Sequence, residues 1–186
     1  MKSRFNFILL TLFPILLFTC SNTYEKIDKS KKPKEESYLK AKINGEEVFI
    51  DAQEYFNTFY GEQPDGRWYL GISGGMPEEE NLGLINSITV QIWQLNPVKE
   101  GNYENGRWEE MGFYGNLYVG ILLGYANKDL GMMAFVTDME KPQATLQITE
   151  LTKEYIRATF AGTIYEPVTG QSMILTEGEL FVKRTD

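Results

Sequence analysis

From residue 38 onward, apolar and polar positions alternate with a period of two. Leu39, Ala41 and Ile43 are separated by Lys40 and Lys42; Asn44-Gly45 then offers the two left-handed positions of a type I′ turn, and Val48 and Ile50 resume the apolar face. This pattern predicts a β-hairpin. Trp68, Leu70 and Ile72 alternate with Tyr69, Gly71 and Ser73, and Ile88, Val90 and Ile92 with Thr89 and Gln91, as in half-buried strands. Residues 117–125 and 132–136 are apolar on both faces, which suits central strands, and a polar turn at 127–131 joins them. In the last third, three strands form a meander with turns at 152–154 and 168–171. Met173 and Leu175 lie on one parity and Leu180 and Val182 on the other, so a bulge near Gly178 is expected. Residues 101–106 read as a turn, and 51–60 hold the only, weak, helical possibility. These strands predict an all-β fold, an antiparallel β-sandwich of roughly nine strands, with a lipocalin-like β-barrel as the alternative.

The first residues follow another rule. Lys2 and Arg4 precede an apolar run from residue 5 to 18. Fourteen helical residues span only about 21 Å, short of a hydrocarbon core of about 30 Å, so an export signal fits better than a permanent transmembrane helix. The run ends in Leu17-Phe18-Thr19-Cys20, and Cys20 is the chain's single cysteine. Those four residues resemble the lipobox of bacterial lipoprotein signal peptides. The resemblance implies diacylglyceryl transfer to the Cys20 thiol, cleavage before it and acylation of the new amino group, with the membrane as a partner through these acyl chains. Two or more chains anchor stably where one does not.

Three segments follow: a signal peptide at 1–19, the lipidated Cys20 with a flexible tether to residue 37, and an antiparallel β domain at 38–186. The tether has no hydrophobic period and is too polar to offset its ordering entropy. Its cluster of Lys29, Lys31, Lys32 and Lys34 is offset by Glu35 and Glu36 and reads as a solvated spacer. The plan of lipobox, tether, an opening A-x-I-N-G-E hairpin at 41–46 and a closing run of I-T-E-L (148–151), T-G-Q (169–171) and T-E-G-E-L (176–180) resembles small uncharacterised lipoproteins of the Bacteroidota. That likeness implies anchoring and an all-β fold, and no activity. Ser21-Asn22-Thr23-Tyr24 lacks the acidic cluster of surface-displayed members, which implies a domain facing the periplasm from the outer membrane.

Composition narrows the chemistry. The 186 residues include 18 Lys and Arg, 26 Asp and Glu and no His, for a net charge of −8. Without His there is no Ser-His-Asp or Cys-His machinery, no imidazole base and no zinc site of the usual ligands. Residues 38–186 carry 11 Lys and Arg against 22 Asp and Glu, so nucleic acid is an unfavourable partner. No cofactor and no metal is expected. With one cysteine, outside the domain, the core must hold the fold without an internal disulfide.

Among chemistry-bearing residues, Glu177 and Glu179 share a strand face at a spacing that suits glycoside hydrolysis by two carboxylates, or else are two solvent-facing glutamates. Glu109-Glu110 point to opposite faces. Glu78-Glu79-Glu80-Asn81, Asp65 and Asp129 offer oxygens to Ca²⁺ but lack an EF-hand pattern, and 71–75 lacks the lysine and helix of a phosphate loop. Trp93 falls on the polar parity of its strand, Tyr118 shares parity with Gly120, Leu122 and Gly124, and Tyr69 with Gly71. These three rings either form a stacking platform for a sugar or partner or cover the glycines as a second buried layer. Trp68 belongs to the core, and Trp108 suits either role. The leading expectation is a lipid-anchored, non-enzymatic binding or structural module with a glycan or protein partner. The alternatives are a carboxylate-dependent glycosidase-type hydrolase and a barrel holding an apolar ligand.

Overall fold

A computed structural model of the chain describes residues 36–51, 55–77, 84–127 and 134–185. The signal peptide, Cys20 and nearly all of the tether lie outside them. The fold is all-β, as the alternation predicts. Among the described residues twelve strands run β1 Tyr38–Ile43, β2 Glu46–Ile50, β3 Tyr55–Glu62, β4 Trp68–Pro77, β5 Leu84–Gln94, β6 Gly101–Glu104, β7 Gly106–Glu110, β8 Asn116–Asn127, β9 Ala134–Val136, β10 Ala144–Leu151, β11 Tyr155–Tyr165 and β12 Ser172–Lys183.

All twelve belong to one antiparallel sheet whose main path is β2-β1-β12-β11-β9-β8-β5-β4-β3. The sheet curls until its halves face each other: a Cβ on Gly74 of β4 would come within 3.1 Å of Leu39 Cδ1 of β1. Thr58 of β3 and Thr185, just after β12, exchange hydrogen bonds of 2.7 and 3.2 Å. Packing is therefore sandwich-like, while the unbroken hydrogen-bonded path between the halves gives half of a barrel. One core fills the interior, with Leu39, Ile50, Ile88, Ile92, Ile121, Ile156, Ile164 and Leu175 all fully buried.

The halves join through β8 and β11, and two small devices make the join. At one level β9 pairs with both strands, Gly124 to Val136 and Val136 to Tyr165. Farther along β8 the chain of β6 and β7 crosses over: β6 pairs with β10 and β7 with β8. The predicted turn at 101–106 is thus a strand, a kink and a strand. Asn105 makes the kink, with φ of 52°. Its N–H donates to Ala144 O at 2.7 Å, its carbonyl accepts from Ile121 N at 2.9 Å, and its side-chain oxygen accepts from Ala144 N at 3.3 Å. Asn tolerates this left-handed conformation because its short polar side chain bonds locally.

Local expectations fare well elsewhere. Asn44 and Gly45 both have positive φ, 50° and 88°, and the tip docks on β12 through Ile174 N to Asn44 Oδ1 at 2.8 Å. The bulge exists: Lys40 faces Glu179 but Lys42 faces Thr176, and Glu177 takes φ of 51°. That extra residue turns both Leu175 and Leu180 into the core despite their opposite parity. The weak helix at 51–60 is replaced from Tyr55 by β3, which pairs with β4 over eight residues. Thr58 is buried while Phe59 is exposed, a period of two that cooperates with the sheet and not with a helix. Past β11, buried Glu166 folds its carboxylate back on its own turn, accepting from Val168 N at 2.9 Å and from Thr169 N.

Candidate functional site

Two outward surfaces collect the residues that the sequence singles out. The first is the outer face of β1, β12, β11 and β10. Period-two alternation turns Lys40 and Lys42, Thr159, and Thr145 and Gln147 away from the core. The bulge at 176–177 bends β12, and an open groove of about 530 Å³ runs there between Lys40, Glu104, Gln147, Thr159, Glu177 and Glu179. The structure thus brings both glutamates of the carboxylate pair to one groove.

Each, however, is tied to β1. Lys42 Nζ lies 2.7 Å from Glu177 Oε1, and Lys40 Nζ 2.7 Å from Glu179 Oε2. The Tyr38 hydroxyl also donates to Glu179. Lys40, and after it Tyr38, holds the Glu179 carboxyl below the usual glutamate range. A glycosidase acid requires the opposite shift, since it must keep its proton near neutral pH. These two lysines are the partners that sequence reasoning missed. They lie 135 or more positions away from the glutamates, where only strand pairing reveals them.

The second surface is the outer face of β3, β4, β5 and β8, and here the three aromatic candidates converge. Tyr69 pairs in register with Trp93, which pairs with Gly120. The Tyr69 and Trp93 centroids are 4.3 Å apart, and Phe59 adds a third ring 5.6 Å from Tyr69. Beyond Trp93 lies the Arg67 guanidinium, 4.2 Å from the indole centroid. Arg67 is itself fixed by Asp65, through Nη2 to Oδ2 at 2.7 Å, and by the Tyr118 carbonyl at 2.6 Å. Asp65, one of the proposed oxygen ligands, is thus committed to an arginine.

The glycines explain why the rings lie flat. A Cβ on Gly71 would sit 2.5 Å from Tyr69 Cζ, and one on Gly106 2.9 Å from Tyr118 Cε2. Tyr69 covers the first glycine and Tyr118 the second. Tyr118 is buried at 4% exposure, donates to Ile121 O at 3.1 Å, and meets Trp108 edge to face at 5.8 Å. Tyr69 and Trp93 are half-buried, with ring faces turned on each other, Phe59 and Arg67. What this surface offers a partner is its margin, where Phe59 is 46% and Trp108 45% exposed. At the β7–β8 hairpin the sequence reading passed over Phe113, which is 98% exposed on a short turn between Gly112 and Gly115, both with positive φ. The G-x-x-G spacing is its signal.

Burial raises both the Tyr69 and the Tyr118 hydroxyl to a pKa of about 12, from an ordinary 10.0; for Tyr118 the nearby Asp138 adds to this. A phenol whose pKa rises on folding favours the native state at low pH, and that contribution disappears as pH climbs through the folded value. The domain is therefore expected to lose stability between pH 10.0 and about 12. Phenolate absorbance during alkaline titration checks this. Tyr69→Phe and Tyr118→Phe should each remove one late-titrating group.

Leu17, Phe18, Thr19 and Cys20 lie outside the described residues, as do Glu78, Glu79, Glu80, Asn81 and Asp129. Among the described residues, no three acidic or cysteine side chains gather as ligands for a metal ion. Compared with known protein families, curated proteins and solved structures, the chain has no match in any of the three.

Proposed function

We propose that the chain is a lipid-anchored lipoprotein of the bacterial cell envelope, similar to the small Bacteroidota lipoproteins, whose β domain acts by binding or structural support and not by catalysis. The anchor rests on Leu17-Phe18-Thr19-Cys20 and the apolar run before it. In this reading acyl chains on Cys20 hold the protein to the outer membrane and the domain faces the periplasm. A glycan or protein partner meets the grooved or aromatic outer face.

One observation carries the non-catalytic part: Glu177 and Glu179 are each engaged by a lysine of β1, and Glu179 is shifted toward the ionised form. A carboxylate pair poised for hydrolysis separates its two pKa values by raising one. The full chain, expressed in a bacterial host and fed a palmitate analogue, should be labelled, and Cys20→Ala should abolish the label. Persistent labelling of Cys20→Ala overturns the anchor. The same purified chain should turn over no chromogenic glycoside; turnover abolished by Glu177→Gln or Glu179→Gln overturns the binding reading.

A further inference from the structure

One polar row crosses half of the sheet in register. Phe49 pairs with Lys40, Lys40 with Glu179, Glu179 with Thr159, Thr159 with Gln147 and Gln147 with Asn102. Six strands, β2, β1, β12, β11, β10 and β6, thus contribute one side chain each. Residues paired directly across strands share a face, and here it is the outward one, since their chain neighbours Leu39, Ala158, Leu180 and Ile148 are buried. All of the row but Phe49 lines the groove opened by the bulge. Phe49 stands at the end of the row, 46% exposed, stacked on Tyr38 with ring planes 15° apart.

The members differ in what holds them. Lys40 and Glu179 pair with each other at 2.7 Å and the Tyr38 hydroxyl also donates to Glu179, so these two charges cancel and their positions are fixed. The side chains of Asn102, Gln147 and Thr159 are exposed and, among the described residues, accept or donate no hydrogen bond. Each of the three can do both. The row therefore offers uncommitted amides and a hydroxyl, then a neutralised ion pair, then an aromatic ring.

The step between them selects the occupant. Adjacent strands lie ~4.8 Å apart, so the row spans roughly 24 Å. An extended peptide brings side chains to one face only every ~6.8 Å, which is out of step, and its backbone bonds to sheet edges and not to a sheet face. A polyanion gains little from a neutralised pair and meets Glu104 in the same groove. A chain of equatorially linked pyranoses advances by about one strand spacing per ring. Its hydroxyls both donate and accept, and its C–H faces lie well on an aromatic ring.

We propose that this row binds an uncharged linear oligosaccharide laid across the strands, one ring per strand, with the last ring on Phe49. The inference rests on the binding reading above and narrows its partner to a glycan on the β1–β12 face. Calorimetric titration of the full chain in a polyoxyethylene detergent, which carries no sugar, tests it. The probes are cellohexaose, chitohexaose, cellobiose and the hexauronate made by oxidising the primary alcohols of cellohexaose. A neutral hexasaccharide is expected to bind roughly tenfold more tightly than cellobiose, because the dimer reaches only two of the six side chains. The hexauronate should bind more weakly than cellohexaose. Gln147→Ala should weaken hexasaccharide binding about fivefold and Phe49→Ala about tenfold, while Phe59→Ala, which removes an exposed ring of the other outer face, should leave it unchanged. Binding of neither neutral hexasaccharide, equal affinity for cellobiose, or a loss confined to Phe59→Ala overturns the row and leaves the binding reading standing. Turnover of the hexasaccharide that Glu179→Gln abolishes overturns the binding reading itself, so the two failures are distinguishable.

Discussion

Gly120→Ala is expected to destabilise the domain by about 4 kcal/mol, combining a strained backbone with an overpacked contact. Gly120 sits in β8 with φ of 148°, between Trp93 on one side and Gly106 on the other. An added Cβ would lie 2.5 Å from Asn105 O and 3.1 Å from Gly106 N, and would overlap Gly106 Cα. All three are backbone atoms of the kink that carries the chain from β6, beside β10, to β7, beside β8, so none can swing aside like a side chain. The kink is also bonded on both sides, to Ala144 and to Ile121. Urea unfolding monitored by tryptophan fluorescence should show the midpoint fall with the slope unchanged. Gly45→Ala is the control: its φ is 88° but nothing lies within 4 Å of the new methyl, so only the backbone cost, about 1 kcal/mol, remains. Equal losses in the two variants would mean that the crossing at Asn105 yields easily.

Leu39→Ala is the second large effect, about 3 kcal/mol, since the site joins opposite halves of the curl and cannot collapse without moving one of them. Leu39 is fully buried on β1, and its Cδ1 reaches over Gly74 of β4. No covalent cross-link limits the separation of the halves, because Cys20 is the chain's single cysteine. Native-state hydrogen exchange should rise in β1 and β4 together. A rise confined to β1 would show that the two halves open independently.

Much of the architecture is legible in the sequence where structure is local. Asn44-Gly45 and its flanking alternation place the first hairpin, and the parity change between Leu175 and Leu180 places the bulge. The same parity argument puts Tyr69, Trp93 and Tyr118 on the outer side of their strands. What the sequence hides is pairing across long separations. Asn105 resembles a turn residue because both turns and this crossing require a left-handed Asn; only its bonds to Ala144 and Ile121 distinguish them. Lys40 and Lys42 look like ordinary solvent-facing residues until β12 lies beside β1. Arg67 joins the aromatic row because it folds across Trp93 while bonding to Asp65 and Tyr118, three contacts that no spacing predicts.

The pairing of β1 with β12 matters to how the domain folds. Tyr38 faces Phe181, so the first strand of the domain waits for β12, well over a hundred residues further along the chain. Until then β1 has only the β2 hairpin, and two strands alone are marginal in water. Sheet formation through such distant partners is slow, and its rate is set by the search for that closure. The domain therefore stays open until β12 is available and locks only when that strand reaches β1.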